Sequence, residues 1–481
     1  MMGAVFESPL TIVSEDSLDA IHAQAMTILE EVGAEVVHEP ARAMLAGLGQ
    51  KVDGTRVRFD REFVLEQLQL APSQITVRGR NPERAVTFGG GTLCMLPTGG
   101  SPFVSDRERG RRDGMYGDHV EIVKMCQATP LLRCGQSGAT EAGDVPESSR
   151  HLDLDYSWIR YSDMPYVAYG TTGPRAQDSV DLVAISRGGR AAIEAEPAII
   201  GVVNPNSPLV WDSAMVEALW AWAEANQPIA MTPFLLAGAT APVSVAAGLS
   251  LQVAEALSGV AIAQAVRPGV GCFFGSFFSG VDMRSGGPSL GMPESVLGSL
   301  AGGQLARRYD LPFRGGGGLT SANALDAQAA TESAMSLWGT YLSGCDLVLH
   351  AAGWLEGGLT CSYEKFALDL EVLRMFETLH AGLDVGSEEL ALETIREEGP
   401  GGIFLAAPHT LDHFREWVFM SPLFRSQAHP TWLKQGAAET PELATKEWQR
   451  LLASYEDPGI DPAVDEELKE FMARRKRDLD E

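Results

Sequence analysis

What most constrains this chain is an alternation, repeated eight times, of a short apolar run, a turn rich in Gly, Pro, Asn and Asp, and a helical stretch. The runs fall at 102–106, 131–135, 166–170, 198–203, 228–234, 270–275, 311–315 and 346–351. The helical stretches fall at 117–128, 148–161, 176–187, 212–224, 243–266, 293–308, 326–342 and 362–379. Units of this kind build parallel sheets. Eight of them favour a closed barrel over an open doubly wound sheet, because closure leaves no unpaired edge and fills its own interior. The expectation is an α/β protein: a (β/α)8 TIM-type barrel over 92–383, with a small N-terminal α+β cap over 1–91. In the cap, Leu18, Ile21, Ala25, Ile28, Leu29 and Val32 recur at helical spacing until Gly33 stops them, and short alternating runs flank a second helix at 61–69. Residues 384–481 lack the alternation and read as a helical extension packed on the barrel, ending in a charged, solvated helix.

Charge and composition then remove whole classes of function. With 37 Lys and Arg against 64 Asp and Glu, the net charge of −27 repels a phosphate backbone, so nucleic acid is not an expected partner. Six scattered cysteines without a C-x-x-C pair predict reduced, buried thiols and a cytoplasmic protein. The first ten residues lack a basic segment followed by an apolar one, so no leader is expected. The most apolar stretch, 235–266, is broken by Gln252, Glu255 and Gln264, which predicts a buried helix and no membrane span. Its Ala- and Gly-rich part, 243–266, suits a subunit contact as well as a core, which leaves a homo-oligomer open.

In a barrel the site belongs on the turns after each strand. Here those turns carry aromatic rings where a solvated loop would be polar: Tyr169, Phe234, Phe274, Phe277 and Trp354, with His350 beside the last. A ring-lined mouth with a few carboxylates is what a methylated cation needs, since ring faces attract the positive charge and carboxylates balance it. Adjacent rings on a strand point to opposite faces, so one of Phe273 and Phe274, and one of Phe277 and Phe278, is expected in the core. Gly315, Gly316, Gly317 and Gly318 form a loop that lets backbone approach a ligand, followed by a helix bearing Asp326, Gln328 and Glu332, with Asp326 equally suited to capping it. The glycine run lacks the Lys-Ser/Thr ending of a phosphate-binding loop, and no G-x-S-x-G supports a serine nucleophile. His409 and His413 have metal-ligand spacing but no third ligand nearby, so packing is expected there and no metal.

Beyond these local readings, a series of segments occurs in a specific order: IHAQAMTILEEVGAEV, GRNP, a GGG at 89–91, AGATAPVSVAAGLSLQVAEALSGVAIAQAVRPG, DMRSG, MPESVLGSLAGGQLARRYDLP, GGGGLTSANALDAQAATES, SGCDLVLHAAGWLEGGLTCSYEKFALDLEVLRMF and FLAAPHTLDHFRE. By these the chain resembles the trimethylamine methyltransferase family along nearly its whole length. The resemblance implies a (β/α)8 barrel that passes a methyl group from a methylated amine to Co(I) of a corrinoid carried by a separate small protein. The chain contains only standard residues, which places it with members that lack pyrrolysine and take quaternary amines such as glycine betaine. On the resemblance, the segment with Asp326, Gln328 and Glu332, and Asp282 of DMRSG, are the matched site positions. The chain departs from the family at Ser321 and Asn323, in Thr-Ser-Ala-Asn for Thr-Asp-Ala-Lys, and at Ala407, where a histidine is usual. Two rival readings are a sulfonium or other methylated zwitterion as donor, and a barrel that binds methylated amines without catalysis.

Overall fold

The computed structural model describes residues 9–480, so the leader reading on the first residues falls largely outside them. Eight parallel strands form one sheet: β1 (Cys94–Pro97), β2 (Gly135–Gln136), β3 (Tyr166–Val167), β4 (Ile199–Val203), β5 (Ile229–Met231), β6 (Cys272–Gly275), β7 (Phe313–Gly316) and β8 (Leu347–Ala352). They are hydrogen-bonded in the order β1-β8-β7-β6-β5-β4-β3-β2. The last pair, β1 and β2, has no ladder among the described residues. Instead the Arg133 guanidinium donates to the carbonyl of Thr92 at 2.8 Å, and Gly100 N–H to Gly138 O at 2.7 Å. This is the expected TIM-type barrel, nearly closed.

Helices α1 (Tyr116–Ala128), α2 (Arg150–Tyr161), α3 (Gly173–Arg187), α4 (Ser213–Glu224), α5 (Val245–Val266), α6 (Pro293–Arg308), α7 (Ala327–Ser343) and α8 (Tyr363–Ala381) surround it, each close to its expected position. Their starts are chemical: Thr172, Asp212, Ser244, Asp326 and Ser362 each accept a hydrogen bond from a free N–H of the first turn. Helix α5 is apolar and long enough to cross a membrane, yet 83% of its apolar window is buried in the protein. It is a core helix and not the subunit contact it also suited.

Three strand expectations are corrected: the run at 131–135 meets its barrel strand only at Gly135, because β2 is Gly135–Gln136, and two others are placed or divided differently. The first barrel strand is Cys94–Pro97, buried on both faces, whereas Phe103–Asp106 is half-exposed and lies in a separate rim sheet with Trp354–Leu355, Thr360–Ser362 and Gly110–Asp113. A strand buried on both faces shows no alternation, so the alternating run was the more visible of the two. The run at 228–234 divides into β5 and a rim strand, Phe234–Ala237, which pairs with Phe277–Val281.

The N-terminal residues close the floor of the barrel. A hairpin, Ile75–Val77 with Val86–Phe88, inserts Ile75, Val77, Val86 and Phe88 among Leu96, Ile200, Phe273 and Leu349 of the barrel interior, and the Phe88 ring meets Phe273 edge-on at 5.1 Å. Buried Asp346 fastens this end: one carboxylate oxygen accepts the N–H groups of Gly89, Gly91 and Thr92, each at 2.9 Å, and the other accepts that of Phe313. Gly89 has φ +112°, and a Cβ there would lie 2.4 Å from the carbonyl oxygen of Ser73, which accounts for a glycine at the start of the GGG segment.

The cap is fastened to the wall by Glu255 of α5. Its carboxyl accepts from Ser207 Oγ and Leu209 N, both at 2.7 Å, just before the strand Val210–Trp211 that pairs with Ala34–Val36. Burial pushes the Glu255 carboxyl up from 4.5 to about 7. A raised acid favours its neutral form in the fold, so its contribution is complete below the ordinary value and is lost as pH rises through 7. Thermal melts of wild type are expected to lose of the order of 3 kcal/mol of stability between about pH 5 and 8 relative to Glu255→Gln, which is neutral throughout. Parallel pH profiles for the two proteins would refute this assignment.

Candidate functional site

With the floor plugged, the open end of the barrel lies at the carboxyl ends of the strands. Four of the ring-bearing residues named from sequence meet there. Phe234 contacts Phe277 edge-on at 4.8 Å, Phe277 lies 6.2 Å from His350 and 6.3 Å from Trp354, and His350 lies 4.5 Å from Trp354. Leu290 and Leu319 pack with Phe277 and Trp354. The rim strand beyond β6 sets Phe277 there, and a bend at His350, with φ +63°, carries β8 out toward Trp354.

Among these rings stands a residue that sequence reasoning passed over. Arg314 of β7 is only 3% exposed, and its guanidinium carbon lies 5.5 Å from the centre of the Phe277 ring. Its Nε and Nη1 are buried without a hydrogen-bond partner. Burial lowers its pKa to about 10, so at neutral pH it is still a cation. Burial and the Arg314 charge together push the His350 imidazole well below its usual range, so it is neutral. Buried without partners as well are His350 Nδ1, Trp354 Nε1, Thr98 Oγ1 just beyond β1 and Gln136 Oε1 of β2. Each is a polar atom that an apolar core would leave at a cost of about 1–3 kcal/mol. Rings, a buried cation without a partner and several unsatisfied donors and acceptors are the groups by which a small ligand bearing an apolar cation and an anion would be held.

Other positions named from sequence lie elsewhere. Phe274 points outward into the helical layer against Tyr309, ring centres 5.8 Å apart, and is core; Phe273 is buried against the floor hairpin. Tyr169, at the end of β3, donates its hydroxyl to Glu141 at 2.8 and 2.9 Å, apart from the ring cluster. Asp326 is the N-cap of α7, accepting from Ala329 N at 3.0 Å. Gly315 and Gly316 belong to β7, and the carbonyls of Gly316, Gly317 and Gly318 accept hydroxyls of Thr340, Ser336 and Ser333. A Cβ on Gly317 would sit 2.4 Å from Ala351 Cα, so this run serves the approach of β8 and does not form an open ligand loop. His409 and His413 pack: His409 Nε2 meets the Glu388 carbonyl at 2.9 Å, and His413 lies flat on Trp417.

Glu332, Gln328 and Asp282 do meet, in an outer cleft of about 680 Å³ that also takes in Ser321, Asn323 and Glu356. Glu332 is buried there and fully used: Oε2 accepts Thr320 Oγ1 at 2.6 Å and Ser321 N at 2.8 Å, and Oε1 accepts Gln328 Nε2 at 2.8 Å. It shapes the turn that leads from β7 into α7. Asp282 is paired with the exposed Arg284 of its own turn, which holds its carboxyl down to about 2. Behind the rings, buried Lys365 donates to both oxygens of Asp369 at 2.6 Å and to Gly318 O at 3.2 Å, while Asp369 accepts Gly353 N at 2.9 Å. This pair holds the end of β7 and the turn that carries His350 and Trp354 in one register.

Residues 5–480 match the family described as Trimethylamine methyltransferase (MTTB). A glycine betaine methyltransferase of Desulfitobacterium hafniense strain Y51 is 38% identical over 98% of both chains. A proline betaine:corrinoid methyltransferase of Eubacterium limosum is 25% identical over 88% of this chain and 89% of its own. Among solved structures, the monomethylamine methyltransferase of Methanosarcina barkeri matches the fold with a TM-score of 0.53 at 11% identity, over 95% of this chain and 90% of that one.

The geometry separates the acidic residues of α7 in unfolding measurements. Asp326→Ala is expected to cost about 1 kcal/mol, the value of a helix cap. Glu332→Ala strands the Ser321 N–H and the Thr320 hydroxyl and is expected to cost roughly 2–3 kcal/mol. Equal losses in denaturant titrations would contradict this division.

Proposed function

The chain belongs to the trimethylamine methyltransferase family, and from that premise we propose that it moves a methyl group from a quaternary amine bearing a carboxylate, of the glycine betaine type, to a corrinoid held by a small partner protein. The observation that carries this reading is Arg314, a buried cation without a counterion, set beside the aromatic cluster. A trimethylammonium group against Phe234, Phe277 and Trp354 gains roughly 0.5–2 kcal/mol per ring face. A carboxylate two bonds away gives the guanidinium the charge-assisted partner it lacks. Neutral His350 adds no positive charge next to the quaternary nitrogen.

The chemistry asks for little beyond positioning. As the carbon–nitrogen bond breaks, nitrogen keeps the bonding pair and leaves as a neutral tertiary amine, so no general acid is required. The corrinoid supplies the nucleophile, the electron pair of cobalt(I). The chain's part is to hold one methyl in line toward the open mouth and to keep water from it. Met283, Met292 and Leu359, exposed around the outer cleft, are apolar groups suited to meet the carrier of the corrinoid. The departures at Ser321 and Asn323 fall in that cleft, where Ser321 Oγ accepts from the N–H of Leu290 behind the rings, and Ala407 falls in the C-terminal extension; none of the three is itself one of the ring residues or Arg314. Six buried cysteines, none in a disulfide, support a cytoplasmic setting.

Cobalt(I) corrinoid incubated with the protein and glycine betaine, a carboxylated sulfonium, or trimethylamine separates the readings through the visible spectrum. Methylation from the betaine is expected, and none from trimethylamine, which lacks the carboxylate. Methylation from the sulfonium alone supports the rival donor, and binding without any methylation supports a non-catalytic barrel. Replacing Arg314 by Met removes an unpaired buried charge and fills its space with apolar atoms. Arg314→Met is expected to melt at a higher temperature than wild type while losing at least ~30-fold in betaine affinity by calorimetry. A variant that binds betaine normally would remove Arg314 from the site.

A further inference from the structure

We infer that Lys365 and Asp369 are positioning residues for the reaction and not supports of the fold: as a pair they set where His350 and Trp354 stand against Arg314 and Phe277. This rests on the methyl-donor reading of that site given above. Both side chains are buried, one turn apart on α8. The hydrogens of the ammonium go to the two carboxylate oxygens at 2.6 Å and to Gly318 O at 3.2 Å, and Asp369 Oδ2 also takes the N–H of Gly353 at 2.9 Å. Outside α8 the partners of the pair are therefore two backbone groups, one just after β7 and one between His350 and Trp354.

These groups close a circuit. Gly318 N donates to His350 O at 2.9 Å, Gly318 O accepts from Lys365, Asp369 accepts from Gly353 N, and Gly353 O accepts from Ser362 N at the start of α8. His350, at φ +63°, and Gly353, at φ +97°, both lie on it. A Cβ on Gly318 would stand 3.0 Å from Ala351 O and 3.4 Å from Asp369 Oδ1, so the glycine that ends the run of four admits the pair as well as the strand. Arg314 and Phe277 are outside the circuit. Arg314 sits in β7 between its ladders to β6 and β8, and Phe277 is paired with Phe234 in the rim sheet.

Stability does not account for a pair in this place. Taking two charges out of water offsets most or all of their attraction, and apolar residues of like volume hold such positions as well or better. What apolar residues cannot do is fix two backbone groups at a set length and direction. A bulky residue in the left-handed region persists only where its surroundings over-determine it, and here the circuit does so.

Paired replacements in the full chain test this. Lys365→Met with Asp369→Leu keeps the volume and removes both charges and both backbone bonds. This apolar variant is expected to melt no lower than wild type and to lose ~10- to 100-fold in kcat for transfer from glycine betaine to cobalt(I) corrinoid, the effect of a misplaced methyl. Betaine affinity by calorimetry is expected to fall by a smaller factor, because Arg314 and Phe277 are held by other strands. Lys365→Met with Asp369→Asn leaves an amide whose oxygen accepts from Gly353 N and whose N–H is free to bond Gly318 O, and this amide variant is expected to recover most of the kcat. Hydrogen exchange reads the same link without the reaction: the Gly353 amide is expected to lose protection in the apolar variant and keep it in the amide variant. Wild-type kcat in the apolar variant, a melting temperature well below wild type, or an amide variant as slow as the apolar one each overturns the inference. A wild type that takes no methyl from betaine removes the donor reading instead, and the Gly353 amide then decides on the pair alone.

Discussion

Asp346 is where the architecture is tied together. Its carboxylate gathers three N–H groups from the glycine turn at 89–92 and one from the start of β7, joining the floor hairpin to two strands of the barrel. A buried carboxylate that accepts so many backbone donors is worth far more than a surface pair, and its loss would leave the floor open to water. Because that end is closed and dry, everything polar in the interior has only the mouth to face. The position of the site follows from the plug as much as from the strands.

At the mouth the balance of energies is reversed. Arg314 and the unpartnered atoms of His350, Trp354, Thr98 and Gln136 are expensive in a folded protein. His350 adds a backbone conformation in the left-handed region, which a bulky residue adopts at a cost of order 1 kcal/mol. These costs are held in place by buried contacts one layer out, in particular Lys365 with Asp369 and Glu332 with the turn at 320–321. The arrangement is stable as a whole while being unsatisfied at its centre, which is the condition for a ligand to gain by entering.

The helices of the barrel were legible in the sequence because a period near 3.6 with a capping residue in front leaves few alternatives. Strands were legible only in part. Cys94–Pro97 is hidden because burial on both faces erases alternation, and the rim strand Phe234–Ala237 merges with β5 into one apolar run. In the site, ring position at strand ends found Phe234, Phe277, His350 and Trp354, but could not orient Phe274, since two adjacent rings differ only by which face they take. Arg314 was visible as a charged residue within an apolar and glycine-rich run, a stronger sign than any ring, because burying a cation demands a reason. The glycines after it misled in the other direction: they admit a neighbouring strand, and nothing local in sequence distinguishes that from admitting a ligand.

The seam between β1 and β2 gives the barrel a mechanical character of its own. Elsewhere around the wall, neighbouring strands are stitched by ladders. At this join Arg133 near the floor, and the Gly100–Gly138 contact with the Glu141 and Thr140 bonds to the Ser101 carbonyl near the mouth, take the place of a ladder. Parting β1 from β2 would therefore break no strand ladder, whereas parting any other neighbouring pair of the barrel would. Gln136 and Thr98 stand at that join, His350 and Trp354 belong to β8 and the turn after it, which pair with β1, and Phe277 lies in the rim strand beyond β6. Thr98 and Gln136, which carry two of the unpartnered polar atoms of the site, flank this seam, so the distance between them is set by those few clasping bonds, whereas the mutual contacts of Phe277, His350 and Trp354 are not.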